Sequence, residues 1–213
     1  MKITKLGHCS LLIEEKNLWI LTDPGSYTTA QNKLKNIDVV LITHEHPDHI
    51  HMDSLKLVLK NNPTVKIFTN GAVAKLLEVE KISFQLLNDK ESIEIEAVLI
   101  EALEEQHAII YPGLPRVLNT GFIIANKLFY PGDALIQPNQ SVEVLACPVA
   151  GPWIKLAEAI DYAKAIKPNK IFPVHDGGLS SSGTGATYRI SSSVLEQEGI
   201  EVIIPDNEKS FEV

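Results

Sequence analysis

The chain has 213 residues, a formal net charge of −8, and 45% apolar against 22% charged residues, which fits a globular protein that buries its core without covalent staples. The acidic balance argues against nucleic acid as a partner, because such binding rests on neutralising phosphates with Lys and Arg. Two cysteines give no disulfide framework, and there is neither an apolar leader nor a run of about eighteen apolar residues, so a cytoplasmic protein with no membrane association is expected.

Residues 2–5, 10–14 and 18–22 read as a meander of short strands that closes at Asp23-Pro24-Gly25. Asp23 is either a turn-forming residue or a carboxylate that orients a ligand from behind. Residues 37–42 form an apolar, β-branched run that stops abruptly at Thr43-His44-Glu45-His46-Pro47-Asp48-His49, as a buried strand does when it ends at a site. Alternate residues of extended chain share a face, so His44 and His46 can converge on one cation while Asp48 and His49 swing round the turn toward a second. Pro47 stiffens that turn by fixing its own φ. Apolar spacing over residues 50–60 predicts a short helix behind it.

Strands are then expected at 65–68 and 84–87 around a helix at 72–79, followed by one alternating strand over 92–99. A hairpin at 121–125 and 128–130 crosses Asn126-Lys127, and a further strand covers 142–145. A helix over 153–166 is stopped by Lys167-Pro168-Asn169, and the strand at 171–174 runs straight into His175. The Ser/Gly stretch 177–185 reads as a substrate flap or as a flexible surface loop, ahead of a helix at 187–198 and strands at 201–204 and 210–213. No linker divides the chain, so one domain over 1–213 is expected, α/β in class, with two sheets and helices outside them.

Two cations need more ligands than the first cluster holds, and metal-capable residues do recur at strand ends downstream: His107, Asp133 and His175. With Asp23, His44-x-His46-x-Asp48-His49, His107, Gly132-Asp133 and Pro173-Val174-His175 in that order, the sequence resembles the metallo-β-lactamase superfamily of binuclear hydrolases across essentially its whole length. The resemblance implies a four-layer αββα sandwich with the site at one edge of the facing sheets. It also implies that His44, His46 and His107 hold one metal, that Asp48, His49 and His175 hold the other, and that Asp133 bridges them. Leu6-Gly7-His8-Cys9-Ser10, Tyr130-Pro131-Gly132-Asp133 and Gly151-Pro152-Trp153 are similar to the subgroup of small hydrolases related to ascorbate-phosphate lactonase and N-acyl-ethanolamine phospholipase D. The true β-lactamases have cysteine in place of Asp133, so antibiotic hydrolysis is not expected. His51 stands where the family commonly has glycine or aspartate, which points to an altered outer shell.

Two divalent cations would share a hydroxide and polarise a scissile carbonyl or phosphoryl oxygen, with Asp48 orienting the nucleophile. Imidazole and carboxylate ligands suit zinc, with manganese or iron as alternatives. His8 is the candidate catalytic donor to substrate or leaving group, or else a turn histidine. Arg116, just after His107, is the candidate for a substrate carboxylate or phosphate, or else a rim charge. Trp153 is a packing residue at a helix start that also reaches the pocket. Cys9 and Cys147 read as small core residues, and Glu101, Glu104 and Glu105 as an exposed acidic face. The expected activity is metal-dependent hydrolysis of a small ester, lactone or phosphodiester, and the resemblance leaves a homo-oligomer open, since related small hydrolases often self-associate. Its partner is then a small molecule, anionic if Arg116 binds it. The alternative is an iron-dependent oxidoreductase handling oxygen or sulfur on the same scaffold.

Overall fold

The computed structural model describes residues Met1 to Val213. The chain opens with an antiparallel meander of β1 (Lys2–Gly7), β2 (Ser10–Glu15) and β3 (Leu18–Thr22). β4 (Val39–Leu41), β5 (Lys66–Thr69) and β6 (Gln85–Leu86) then add in parallel. That direction follows from α1 (Met52–Asn61) and α2 (Gly71–Val79), which carry the chain back along the sheet between strands.

The second half repeats the plan. β7 (Ser92–Ile95), β8 (Val98–Gln106), β9 (Leu118–Ile124) and β10 (Leu128–Tyr130) run antiparallel. β11 (Val144–Pro148), β12 (Lys170–Val174) and β13 (Glu201–Val202) follow in parallel, with α3 (Leu156–Ile166) and α4 (Ser181–Leu195) as the crossovers. β14 (Ser210–Glu212) returns to pair with β1, so each sheet has seven strands.

Alternation along the strands builds the layers. Val39 and Leu41 of β4 face the other sheet, in a core shared with Ile100, Phe122, Tyr130 and Phe172. Val40 and Ile42, one residue out of phase, pack instead against Leu55, Val58, Val73 and Leu77 of α1 and α2. The second sheet does the same: Ile123, Phe129, Leu145 and Ile171 pack against Ala159, Ile160 and Ala163 of α3 and Leu195 of α4. Both faces of the central strands are thus covered, which is why residues 39–42 read as one continuous apolar run, and the layering is αββα. No helix is long and apolar enough to cross a membrane.

Three expectations are corrected. The single strand expected over 92–99 is two strands, because Glu96 and Ala97 both take the left-handed backbone (φ 50° and 58°) and close a tight hairpin without glycine or asparagine. The helix expected from Trp153 starts at Leu156, and Trp153 lies in the turn before it, where Gly151 bridges Ile154. The Ser/Gly stretch is not a flap over its whole length: Ser180 caps α4, its Oγ accepting from Gly183 N–H, and residues from Ser181 on are helical.

One polar cluster ties the sheets together under the site. Lys5 of β1 is 1% exposed, with Nζ 2.5 Å from Asp176 Oδ2 and 2.9 Å from the Pro173 carbonyl. Tyr188 of α4 donates to the same carboxylate. A buried ammonium is tolerated only when it is paired and hydrogen-bonded, and this one fixes the backbone on both sides of His175.

Candidate metal centre

Every residue singled out as a ligand leaves a strand at the same edge of the sandwich. His44 to His49 follow β4, His107 follows β8, Asp133 follows β10, and His175 follows β12. His8 and Cys9 turn between β1 and β2, and Asp23 follows β3. Asp23, His8 and His175 hold left-handed backbone (φ 37°, 53° and 59°), a conformation that costs free energy and here bends the chain sharply at the end of each strand.

The structure brings all seven together. One ligand atom from each of His44, His46, His107 and Asp133 lies within 4.8 Å of the others. Asp133 also reaches the second group: its Oδ2 is 2.8 Å from His175 Nε2 and 3.3 Å from His107 Nε2, and its Oδ1 is 3.2 Å from His49 Nε2. Asp48 Oδ2 stands 3.5 Å from His175 Nε2 and 3.9 Å from His49 Nε2. One carboxylate between two sets of imidazoles is the arrangement a bridging ligand needs.

Whether these residues fit cations is answered by their unused atoms. His49 Nε2, His107 Nε2, His175 Nε2 and Asp133 Oδ1 are buried without a hydrogen-bond partner, although they converge on one another. Buried polar atoms are rarely left so, and facing lone pairs repel unless a cation lies among them. The opposite ring nitrogens explain the aim. His49 Nδ1 is 2.7 Å from Asp23 Oδ2, so it carries the proton and leaves Nε2 bare. His107 Nδ1 donates to the Ala108 carbonyl at 2.6 Å, and His44 Nδ1 meets Thr43 Oγ1 at 2.9 Å, with the same result. His46 points its Nδ1 at His44 Nε2, 3.1 Å away. The donors fit divalent cations.

Charge agrees with geometry. Burial would raise the Asp133 carboxyl, but His49 and His175 outweigh it and hold it well below the usual range. Burial would lower His49, but Asp133, Cys9 and Asp23 outweigh it and raise the imidazole well above its ordinary value, while His175 is pushed up to about 11 against burial by Cys9, Asp133 and Asp48. His44 is lowered by burial and by His49 beside it. The carboxylates thus demand positive charge next to them, and a cation that binds displaces the imidazole protons.

Behind the ligands stand one support read from the sequence, Asp23 in the second of its two expected roles, and others that the sequence did not show. Asp23 accepts from Thr43 N–H and Thr43 Oγ1 at 2.8 Å each and from the Tyr130 hydroxyl at 2.5 Å, so it acts as the orienting carboxylate. Asn119 Oδ1 accepts from Asp133 N–H at 2.9 Å, and Asn70 Nδ2 donates to the Thr43 carbonyl at 2.9 Å. Cys9 is buried core as expected, yet it also groups with His8, His49 and His175. Burial raises its thiol pKa, but those imidazoles prevail and lower it. Cys147, against α3, is pushed up to about 12 by burial.

Other candidates lie apart. Arg116 donates from Nε to the His107 carbonyl at 2.5 Å and from Nη2 to the Gln106 carbonyl at 2.9 Å, bracing the ligand's backbone from an exposed position. His51 precedes α1 and pairs with Ser54 Oγ at 3.0 Å, outside both ligand groups. Glu105 is exposed, while Glu101 and Glu104 are half-buried in β8. A cavity of about 710 Å³ opens over the cluster, and His8, Tyr27, Asp48 and Trp153 line it.

Gly25 packs beneath Asp48: an added Cβ would lie 1.8 Å from the Asp48 carbonyl oxygen. We therefore expect Gly25→Ala to cost about 1–3 kcal/mol and to weaken cation binding, read by urea denaturation and metal titration of the same sample.

The profile of the family described as "Beta-lactamase superfamily domain" matches residues 2–175, which include all seven convergent residues. A protein of Mycobacterium tuberculosis is 31% identical over 193 residues, covering 88% of this chain and 90% of its own. A metal-dependent hydrolase of Nanoarchaeum equitans is 28% identical over 189 residues, covering 82% and 83%. Among solved structures, a metallo hydrolase of the hyperthermophilic archaeon Ignicoccus hospitalis has a TM-score of 0.75 at 22% identity over 100% of this chain and 98% of its own, a likeness of fold.

Proposed function

Because the chain belongs to the beta-lactamase superfamily domain family, with metal-dependent hydrolases among its relatives, we propose that it is a metal-dependent hydrolase whose convergent side chains hold two divalent cations. The observation that carries this is the set of buried, unpartnered imidazole and carboxylate atoms meeting under an open cavity. In this reading His44, His46 and His107 hold one cation, Asp48, His49 and His175 the other, and Asp133 bridges. The substrate is a small ester, lactone or phosphodiester, and the motifs around Gly7-His8, Gly132-Asp133 and Gly151-Pro152-Trp153 favour the lactonase-like and phospholipase D-like subgroup. Two free cysteines favour the cytoplasm.

A bound pair of divalent cations supplies a hydroxide nucleophile at neutral pH and an electrophile for the substrate oxygen. Asp48 lies at the cavity floor to orient that nucleophile. Its Oδ2 is 3.2 Å from His8 Nε2, and Gly177 N–H donates to His8 Nδ1 at 3.0 Å, which leaves the proton on Nε2 to be donated to Asp48. Tyr27 stacks on the same imidazole at 4.4 Å. With both ring nitrogens engaged, His8 acts through Asp48 as a positioning residue.

The test is metal removal. Dialysis against a chelator is expected to abolish turnover of a panel of esters, lactones and phosphodiesters, and zinc or manganese is expected to restore it, with metal analysis giving about two ions per chain. Undiminished turnover by metal-free protein defeats the proposal, and redox-active iron with oxygen uptake replaces it with oxidoreductase chemistry.

A further inference from the structure

Trp153 presents a polar atom that nothing in the fold uses. It is 8% exposed, and its indole Nε1–H is buried without an acceptor. Leaving such a donor unpaired costs about 1–3 kcal/mol, so a protein that keeps one does so against its own stability. The ring stands between the two ligand groups, 5.6 Å from His107 and 5.5 Å from His175, centroid to centroid, and lines the cavity. Gly151 (φ 154°) keeps the space beside the N–H open: a Cβ there would lie 2.9 Å from Nε1.

The rest of the wall says what kind of molecule brings the acceptor. The residues lining the cavity include Asp48 and Asp133 but no lysine or arginine. Arg116, the nearby candidate cation, spends its guanidinium on two backbone carbonyls. Beside Ser26 and the imidazoles, the wall has an apolar side, with Pro152 and Leu179 in it, and Tyr27 and Ile110, 53% and 41% exposed, continuing it outward to solvent. Away from the cations that the hydrolase reading places among the ligands, a charged group on a substrate would meet no lysine or arginine in this wall. An uncharged oxygen with an apolar body meets an indole donor and a matching wall.

We propose that Trp153 is the specificity-determining donor of this cavity, hydrogen-bonding through its indole N–H to an oxygen of an uncharged carboxylic ester or lactone with an apolar acyl chain. This rests on the hydrolase reading and narrows it against phosphodiesters. Water adds to the acyl carbon and the acyl carbon–oxygen bond breaks; the products are a carboxylate, an alcohol and one released proton, with alcohol and carboxylate on one molecule when the substrate is a lactone.

The chain has two tryptophans, and Trp19 does not line the cavity, so the indole N–H signals of 15N-labelled, zinc-loaded protein supply both probe and internal control. Titration with hexanamide is expected to shift the Trp153 signal and leave Trp19 in place, while diethyl phosphate at the same concentration shifts neither. Trp153→Phe keeps the ring and loses the donor. It is expected to lower kcat/KM for 4-nitrophenyl hexanoate about tenfold at unchanged zinc content, and wild type is expected to prefer that ester to bis(4-nitrophenyl) phosphate. The proposal is overturned if diethyl phosphate moves Trp153 as far as hexanamide does, if hexanamide leaves it still, or if Trp153→Phe keeps the ester rate. If zinc-loaded wild type turns over neither chromogenic compound nor any ester, lactone or phosphodiester of the panel, the hydrolase reading fails, while the titration, which needs no turnover and no variant, still decides the donor.

Discussion

Asp133→Asn is expected to abolish turnover, by more than about a thousandfold, while the protein still folds. Asparagine keeps the shape and the backbone bond to Asn119 but replaces a carboxylate with a neutral amide, half of it a hydrogen-bond donor. At this position the loss is severe, because Asp133 faces four imidazoles, with His175, His49, His107 and His44 at 2.8, 3.2, 3.3 and 3.9 Å. Those histidines come from both ligand groups, so one substitution removes the charge that both share. Metal analysis should show fewer ions per chain, and near-ultraviolet circular dichroism should stay close to wild type. Full metal content with activity within tenfold of wild type would rule out a bridging role.

Asp23→Ala is expected to cost about 3–5 kcal/mol of stability, the largest loss available outside the ligands themselves. Asp23 is fully buried and serves four donors: Thr43 N–H, Thr43 Oγ1, the Tyr130 hydroxyl and His49 Nδ1. Alanine strands all of them away from water. It also frees the His49 ring to turn, so affinity for one of the two cations should fall about 10–100-fold while the other holds. Asp23→Asn is expected to recover part of the stability, since its carbonyl still accepts from Thr43, but not the imidazole orientation. Urea denaturation of chelated protein separates the two effects. A change under about 1 kcal/mol would show that the network contributes little.

What the sequence revealed was what is local. His44, His46, Asp48 and His49 fall in one turn after one apolar run, so alternation and spacing alone group them. His107, Asp133 and His175 were legible as metal-capable residues at strand ends, and their meeting followed only from the resemblance. Apart from Asp23, the supporting shell was not legible. Thr43, Asn70 and Asn119 look like ordinary polar residues at strand ends, and their partners lie across the sheets, as Asn70 and Thr120 do, 50 residues apart. The hairpin at Glu96-Ala97 escaped because neither residue is a usual occupant of left-handed backbone; tertiary pairing of β7 with β8 imposes it. The early start of α4 escaped for a related reason. Gly183 and Gly185 disfavour helix, but the Ser180 cap and the burial of Thr187, Ser191 and Leu195 offset them.

Apart from β14, which returns to the first sheet, each half of the chain forms its own sheet, and the convergent side chains are drawn from both: four from the loop after β4, three from the ends of β8, β10 and β12. Any ion held among them rivets one half-molecule to the other, as a crosslink would in a chain whose two cysteines are both free. By mass action, each tenfold excess of free ion over its dissociation constant adds about 1.4 kcal/mol to the closed form and nothing to one in which the halves have parted. An ion held there would therefore slow the loss of the folded protein to proteases and heat as well as support its chemistry, so the metal-free chain is expected to be cut and to melt sooner than the loaded one.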